Sequence, residues 1–206
     1  MKKRKPRPQD FEMVIGLTGL KAAGKDELSE RLAAHGFVTR RCSDEIRDEA
    51  RRRGIEKPTI DQLIEIGNWG REQGEGMAYW AKRVIATLKS QGQRRIIVNG
   101  LRHPDEVNGL QKLLGGCFVM VGVVAPTHIR AGRLLNRKRP GDPVDMAGFT
   151  KLDDDDRGIG QPPHGQQVDR TLALVPWENL YNNQGTLEEY QAWIDAFAGR
   201  LLKKGS

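Results

Sequence analysis

Residues Met13 to Leu32 read M-V-I-G-L-T-G-L-K-A-A-G-K-D-E-L-S-E-R-L, and no other stretch limits the fold so tightly. Met13–Leu17 is a short apolar run, as expected of a strand buried on both faces. Gly19 to Lys25 follows with the spacing G-x-x-x-x-G-K. Leu28 and Leu32, four apart among polar residues, predict an amphipathic helix that Gly36 ends. Strand, glycine loop and helix together are the setting in which this spacing works.

Gly19 and Gly24 can adopt backbone angles closed to other residues, and they put no side chain between backbone and ligand. Successive N–H groups can then converge on phosphate oxygens, helped by the positive end of the helix opening near Lys25. Lys25 adds a full charge for the β- and γ-phosphates. The predicted nucleotide-binding residues are Gly19, Leu20, Lys21, Ala22, Ala23, Gly24, Lys25 and Asp26. The plainer alternative is a glycine-rich turn with an incidental lysine. Asp26 stands where the usual loop has a magnesium-binding Ser or Thr, and it is the expected metal ligand.

At 206 residues the chain predicts a basic flexible tail over 1–10 and a single domain over 11–206. The formal charge is +7, but five cations lie in Met1–Pro8, so the excess is largely a property of the tail. A solvated tail is expected, with a nucleic-acid arm as the sharper alternative. Cys42 and Cys117, like the four histidines, are scattered and make no metal or disulfide pattern. The longest apolar run, Cys117 to Ala125, is too short to span a bilayer. The basic start lacks an apolar core, so it is no signal peptide. A cytoplasmic protein without membrane partners is expected.

Further strands are predicted at Phe37–Arg41, Arg95–Val98, Phe118–Val124 and, weakly, Glu178–Asn182. Ser43 is the expected cap of a helix over Asp44–Arg53. Thr59 with Gln62, and Thr186 with Glu189, fit capping boxes opening helices over Ile60–Gln73 and as far as Leu202. Gly76–Lys89 and Pro104–Leu114 read as helices, and Pro126 opens another that ends in Arg137-Lys138-Arg139. Pro140–Gly165 changes character and predicts an excursion around a helix over Val144–Arg157, with Gln166–Leu174 helical beyond it. The acidic run Asp153–Asp156 is expected to be a solvated helix face. The alternation implies an α/β fold with a doubly wound parallel sheet.

The stretches Gly16–Asp26, Ser43–Gly54, Gly67–Arg71, Val98–Val107, Arg133–Pro143 and Tyr181–Glu189 carry a resemblance over about residues 13–195. The chain resembles the P-loop kinases of the nucleoside-monophosphate-kinase superfamily, within them the small dephospho-CoA kinase-like and nucleotide kinase-like proteins. The resemblance implies a three-layer P-loop NTPase fold with a five-stranded parallel sheet, a helical acceptor-binding region at about 43–90 and an arginine-bearing lid at about 137–165. It also implies ATP as phosphoryl donor and Mg2+ as cofactor. Where similar proteins have Asp after the third strand, this chain has Asn99.

Phosphoryl transfer needs positive charge around the moving group and close positioning of the acceptor. Arg130, Arg133 and Arg137 follow helical spacing, and a lid role on the triphosphate competes with a solvated basic face. Lys25, Asp44, Arg133 and Arg137 are the expected catalytic residues, Asp44 as general base or as a group behind the magnesium, with charge complement to a helix N-terminus as its rival role. Arg47, Arg71 and Arg102 are the expected acceptor-binding residues, because guanidinium pairs well with phosphate. Trp69, Tyr79 and Trp80 are expected in the core, with base stacking as the alternative. The expected activity is ATP-dependent phosphorylation of a small anionic acceptor, foremost a (deoxy)nucleoside monophosphate, with dephospho-CoA as the alternative. A nucleotide-binding regulator without turnover is the alternative from another class. A monomer or homodimer is expected, and nucleic acid is not an expected partner.

Overall fold

The structure of the chain, a computed structural model, describes residues 10–72, 76–138 and 142–204. Residues 1–9 of the predicted tail and Arg139 lie outside the described residues. Along the chain run β1 (Met13–Thr18), α1 (Lys25–Ala33), β2 (Val38–Arg41), α2 (Cys42–Arg52), α3 (Ile60–Glu72) and α4 (Tyr79–Ser90). Then follow β3 (Arg95–Asn99), α5 (Pro104–Leu114), β4 (Phe118–Val124), α6 (Thr127–Arg137), α7 (Met146–Arg157), α8 (Val168–Leu172), β5 (Leu180–Asn182) and α9 (Leu187–Lys204). The five strands form one parallel sheet in the order β2-β3-β1-β4-β5.

The two-residue period of the central strands separates two cores. Val14, Ile96, Val98, Phe118 and Met120 face α4 and α5, where Trp80, Val84, Leu110 and Leu114 pack on them. Ile15, Leu17, Ile97, Val121 and Val123 face α1 and α9, meeting Leu28, Leu32, Tyr190, Ile194 and Phe197. Trp69, Tyr79 and Trp80 belong to the first core. Their rings lie 4.9–6.3 Å apart, and the Trp80 indole donates to the Gly67 carbonyl at 2.9 Å.

Both predicted capping boxes form, Thr59 with Gln62 and Thr186 with Glu189. The Ser43 cap does not. β2 runs straight into α2, so the helix starts at Cys42, and the Asp44 carboxylate accepts from the Arg41 N–H at 2.9 Å. Asp145 caps α7 by accepting from the Gly148 N–H, which starts that helix at Met146 instead of Val144. The helix expected over Gln166–Leu174 shrinks to Val168–Leu172. The last strand is confined to Leu180–Asn182 because Trp177–Asn179 form a 3-10 turn.

The acidic run is not a solvated face. Asp153 and Asp156, three apart on α7, are 7% and 2% exposed. Asp153 receives both Arg130 Nη atoms and Arg157 Nε. Arg130 is 1% exposed, and it also donates to the Ala125 carbonyl at 3.0 Å. This buried pair fastens α7 to α6, with Phe149, Ala131 and Leu134 packed beside it and Ala22 at its edge.

Burial alone would raise the Asp153 carboxyl, but the hydrogen bonds from Arg130 and Arg157 outweigh it and hold the group below its ordinary 3.8. A depressed carboxyl stabilises the fold above that value and loses its contribution as pH falls through the folded one. Arg130→Met leaves Asp153 with Arg157 alone and is expected to lower the unfolding free energy by about 3 kcal/mol at neutral pH. Urea denaturation measures it, and the gap between the two proteins should close as pH falls below the ordinary carboxylate value of 3.8. Equal stability at neutral pH would show that the pair does not hold α7.

Candidate active site

The loop between β1 and α1 lies at the carboxyl edge of the sheet, where parallel α/β folds place their ligands. Gly19 has φ +141° and Gly24 φ +114°, both in the left-handed region. A Cβ on Gly19 would come within 2.2 Å of the Val123 carbonyl oxygen, so only glycine fits against the end of β4. Thr18 Oγ1 donates to the Leu101 carbonyl at 2.7 Å and ties the end of β1 to the segment after β3. Asn183 donates to the Ala23 carbonyl at 2.8 Å, and the Tyr190 hydroxyl to the Gly24 carbonyl at 3.1 Å.

Lys25 opens α1 and curls back into the loop, donating to the carbonyls of Gly19 at 2.6 Å and Leu20 at 2.8 Å. Burial foremost, then the nearby Arg102 charge, lowers its pKa to about 7; Asp156 and Asp26 oppose the shift. Burial also lowers Lys21, which the Asp156 carboxylate partly offsets. Lys21, Lys25, Arg102 and Asp156 are thus brought together around one point of the loop.

The expected lid arginines separate. Arg130 is the buried structural partner of Asp153. Arg133 turns to the loop, donating to the Ala22 carbonyl at 3.3 Å and to the Asn183 carbonyl at 3.3 Å. It borders a cavity of about 290 Å³ with Gly24, Glu27, Asn183, Gly185, Leu187 and Tyr190. Arg137 pairs with Asp142 at 2.6 Å.

Among the expected acceptor residues, Arg102 is committed to Asp156 at 2.9 Å and Gln166 at 2.5 Å. Arg71 is half-buried and bonds Asn68 at 3.1 Å. Burial raises the Glu106 carboxyl, and the Arg71 charge is the largest influence opposing it, so Arg71 faces the start of α5. Arg47 is exposed and leans toward Asp44, at 3.8 Å. Asp44 itself caps α2, the role its position at a helix start allows.

Asp26, in the first turn of α1, is half-exposed and paired with Arg41 at 2.6 Å. Asn99 is 3% exposed and donates to Ser29 Oγ at 3.3 Å, so no second carboxylate stands there. Among the described residues no group of three His, Cys, Asp or Glu side chains could hold a metal ion. One half-exposed carboxylate beside a phosphate loop still fits magnesium, which takes one or two carboxylates and completes its shell with phosphate oxygens and water. No helix among the described residues is long and apolar enough to cross a membrane.

Residues 15–146 match the family model described as AAA domain. The chain is 32% identical over 193 residues to a UPF0200 protein of Hyperthermus butylicus, covering 94% of this chain and 97% of that one. It is 31% identical over 191 residues to a UPF0200 protein of Methanosarcina barkeri, with 93% and 97% covered. Among solved structures, TT1252 from Thermus thermophilus superposes with a TM-score of 0.55 at 18% identity, over 95% of this chain and 99% of that one. A proposed kinase from Chloroflexus aurantiacus superposes with a TM-score of 0.55 at 17% identity, over 94% and 97%. The fold is that of the P-loop kinases, and the chain belongs to the UPF0200 family of AAA-domain proteins.

Proposed function

We propose that this chain is an ATP-dependent phosphotransferase that moves the γ-phosphoryl group to a small anionic acceptor of nucleotide size. The observation that carries this reading is the convergence of Lys21, Lys25 and Arg102 at the N-terminus of α1, in a glycine loop closed to side chains. Charge aimed at a developing charge is the main thing phosphoryl transfer asks of a protein.

In this reading the N–H groups of Gly19–Asp26 cradle the β-phosphate, and Lys25 leaves the Gly19 and Leu20 carbonyls for the β- and γ-oxygens. Arg133 neutralises the triphosphate from the side of the cavity it borders with Asn183 and Tyr190, which takes the base. Arg137, one turn further along α6, is a second cation for the phosphates once released from Asp142. Asp26 would hold magnesium, which when bound with ATP neutralises charge between the β- and γ-oxygens. Arg71 and Arg47 bind the anionic group of the acceptor on the α2–α3 side. Asp44, already accepting from the Arg41 N–H, keeps the α2 start and the Arg41–Asp26 pair in place.

The test is ADP release from magnesium-ATP with a panel of nucleoside and deoxynucleoside monophosphates and dephospho-CoA. Acceptor-dependent turnover is expected. Tight ATP binding with no turnover would select the regulator instead. Lys25→Ala is expected to lose on the order of 10²-fold in kcat with the fold intact.

At about pH 8 the free Lys25, with a pKa of about 7, is mostly neutral, and phosphate contact restores its charge. ATP binding should then take up nearly one proton, and affinity should fall as pH rises from about 7 to 9. Calorimetry in two buffers of different ionisation enthalpy reads the uptake. Lys25→Arg, always charged, should abolish it; uptake persisting in that variant would assign the proton elsewhere.

Asp26 sets two opposed effects against each other, repulsion of ATP and attraction of magnesium. Wild type should therefore show a steeper magnesium dependence of ATP affinity than Asp26→Ser, and Asp26→Ala should lose more turnover than Asp26→Ser. If Asp26→Ala matches wild type at every magnesium concentration, Asp26 is not a metal group.

A further inference from the structure

The cavity beside the phosphate loop carries one charge that a site for a polyanion does not need. Its lining of about 290 Å³ brings the carboxylate of Glu27 together with Arg133 and the end of the loop at Gly24. Glu27 lies in the first turn of α1, two residues after Lys25. Among the described residues it makes no ion pair. Arg31, one turn further along α1, spends both arms of its fork on Asp195, at 2.7 and 2.6 Å. A triphosphate on the loop is repelled by a carboxylate so placed.

The fold nevertheless holds Glu27 at the cavity wall. Gln191, on α9, donates its Nε2 to Glu27 Oε1 at 2.7 Å. Among the described residues no hydrogen bond falls on Oε2. Tyr190, beside Gln191 on α9, is 1% exposed and donates its hydroxyl to the Gly24 carbonyl. Burial foremost, then the Glu27 charge, raises that hydroxyl above its ordinary value, so the carboxylate stands close to a ring that borders the cavity. A place at a helix start suits the helix dipole, but Asp26 is there already. The dipole does not explain a bond from α9 that anchors one oxygen at the cavity and leaves the other open.

Chemistry selects what such an oxygen can hold. It accepts hydrogen bonds and repels phosphate, so its partner is a neutral donor. A nucleotide with its phosphates on the loop passes Gly24 with its sugar before its base, and Glu27 stands three residues beyond Gly24. Ribose offers two adjacent hydroxyls at that level. Pairing of a ribose hydroxyl with a carboxylate recurs in dinucleotide-binding folds for the same reason.

We propose that Glu27 Oε2 accepts a hydrogen bond from a ribose hydroxyl of the phosphoryl donor, which selects a ribonucleoside triphosphate over a deoxyribonucleotide or an inorganic polyphosphate. The inference rests on the nucleotide-binding part of the function proposed above and names what its donor must carry. Glu27 sets one repulsion against one bond. It weakens the hold on any polyphosphate, and the complete sugar alone makes up the loss. Glu27 is thus a specificity-determining residue, and the transfer itself does not pass through it.

The test is equilibrium binding to the full chain at one fixed magnesium concentration, read by calorimetry, and it needs no turnover. The probes are ATP, 2′-deoxy-ATP, 3′-deoxy-ATP, inosine triphosphate and tripolyphosphate. Wild type should bind at least one of the two deoxy analogues about tenfold more weakly than ATP, the scale for losing a hydrogen bond to a charged group. Glu27→Gln keeps the size of the side chain and an oxygen for Gln191, and so the fold. In that variant the preference for ATP over the deoxy analogues should shrink to within about threefold. The same variant should bind tripolyphosphate at least about threefold more tightly than wild type, because a like charge is gone. Glu30→Gln removes the same charge from an exposed position of α1 and should leave both readings within about twofold of wild type. Deoxy analogues that bind wild type as tightly as ATP would overturn the inference. So would a Glu27→Gln protein with the wild-type preference, or a Glu30→Gln protein that loses it equally, either of which would make Glu27 only a charge at a helix start. A loss confined to inosine triphosphate would assign the carboxylate to the amino group of the base and overturn it as well. If neither ATP nor tripolyphosphate binds, the nucleotide-binding reading falls, and this inference with it.

Discussion

The approach of Gly19 to the Val123 carbonyl is the contact on which the rest depends. A single methyl group there would stand 2.2 Å from an oxygen, so the loop can lie against β4 only as bare backbone. Gly24 repeats the constraint on the other side, where a Cβ would meet Asn183 Nδ2 at 2.3 Å. Between these two close approaches the loop has little freedom. Its carbonyls are therefore available to Lys25, Asn183, Arg133 and Tyr190, and the start of α1 is aimed at the same point as Lys21 and Arg102.

Much of this was legible in the sequence, for local reasons. Glycine spacing, apolar runs and capping pairs are short-range signals, and the β1–α1 unit, α5, β4 and both capping boxes formed where those signals stood. The helix starts that moved, at Cys42 and Met146, did so because backbone continuity from β2 and the Asp145 cap outranked the nearest serine or valine. The fate of the acidic run was not legible. Asp153 and Asp154 look alike in sequence, yet one is buried on Arg130, 23 positions away, and the other is only half-buried. Nothing local tells which carboxylate meets a distant arginine. Arg41, Asn183 and Tyr190 were missed for the same reason: each acts on the loop through a contact made by the fold.

Charge balance organises the site as much as shape does. Two lysines and an arginine gather around one loop, and repulsion among them is offset by the Asp156 carboxylate and by the loop's own carbonyls. Asp26 is likewise held by Arg41. In the function proposed above, the groups that would bind phosphate stand against internal stand-ins, which a triphosphate would displace or share. A cationic cradle kept in order without its anion is preorganised, and preorganisation is what makes such charges effective.

The position of β1 in the middle of the sheet has a consequence for how the chain is made. Both neighbours of β1, β3 and β4, come much later in the chain, and Thr18 finds Leu101 only 83 positions on. Parallel pairing at such separations is slow, because the loop entropy is lost before the contacts repay it. Until β3 emerges, the apolar Met13–Leu17 run has no partner strand, and until β4 emerges Gly19 has no carbonyl to lie against. The loop therefore precedes in the chain both strands that shape it, and it acquires that shape only once β3 and β4 have paired with β1.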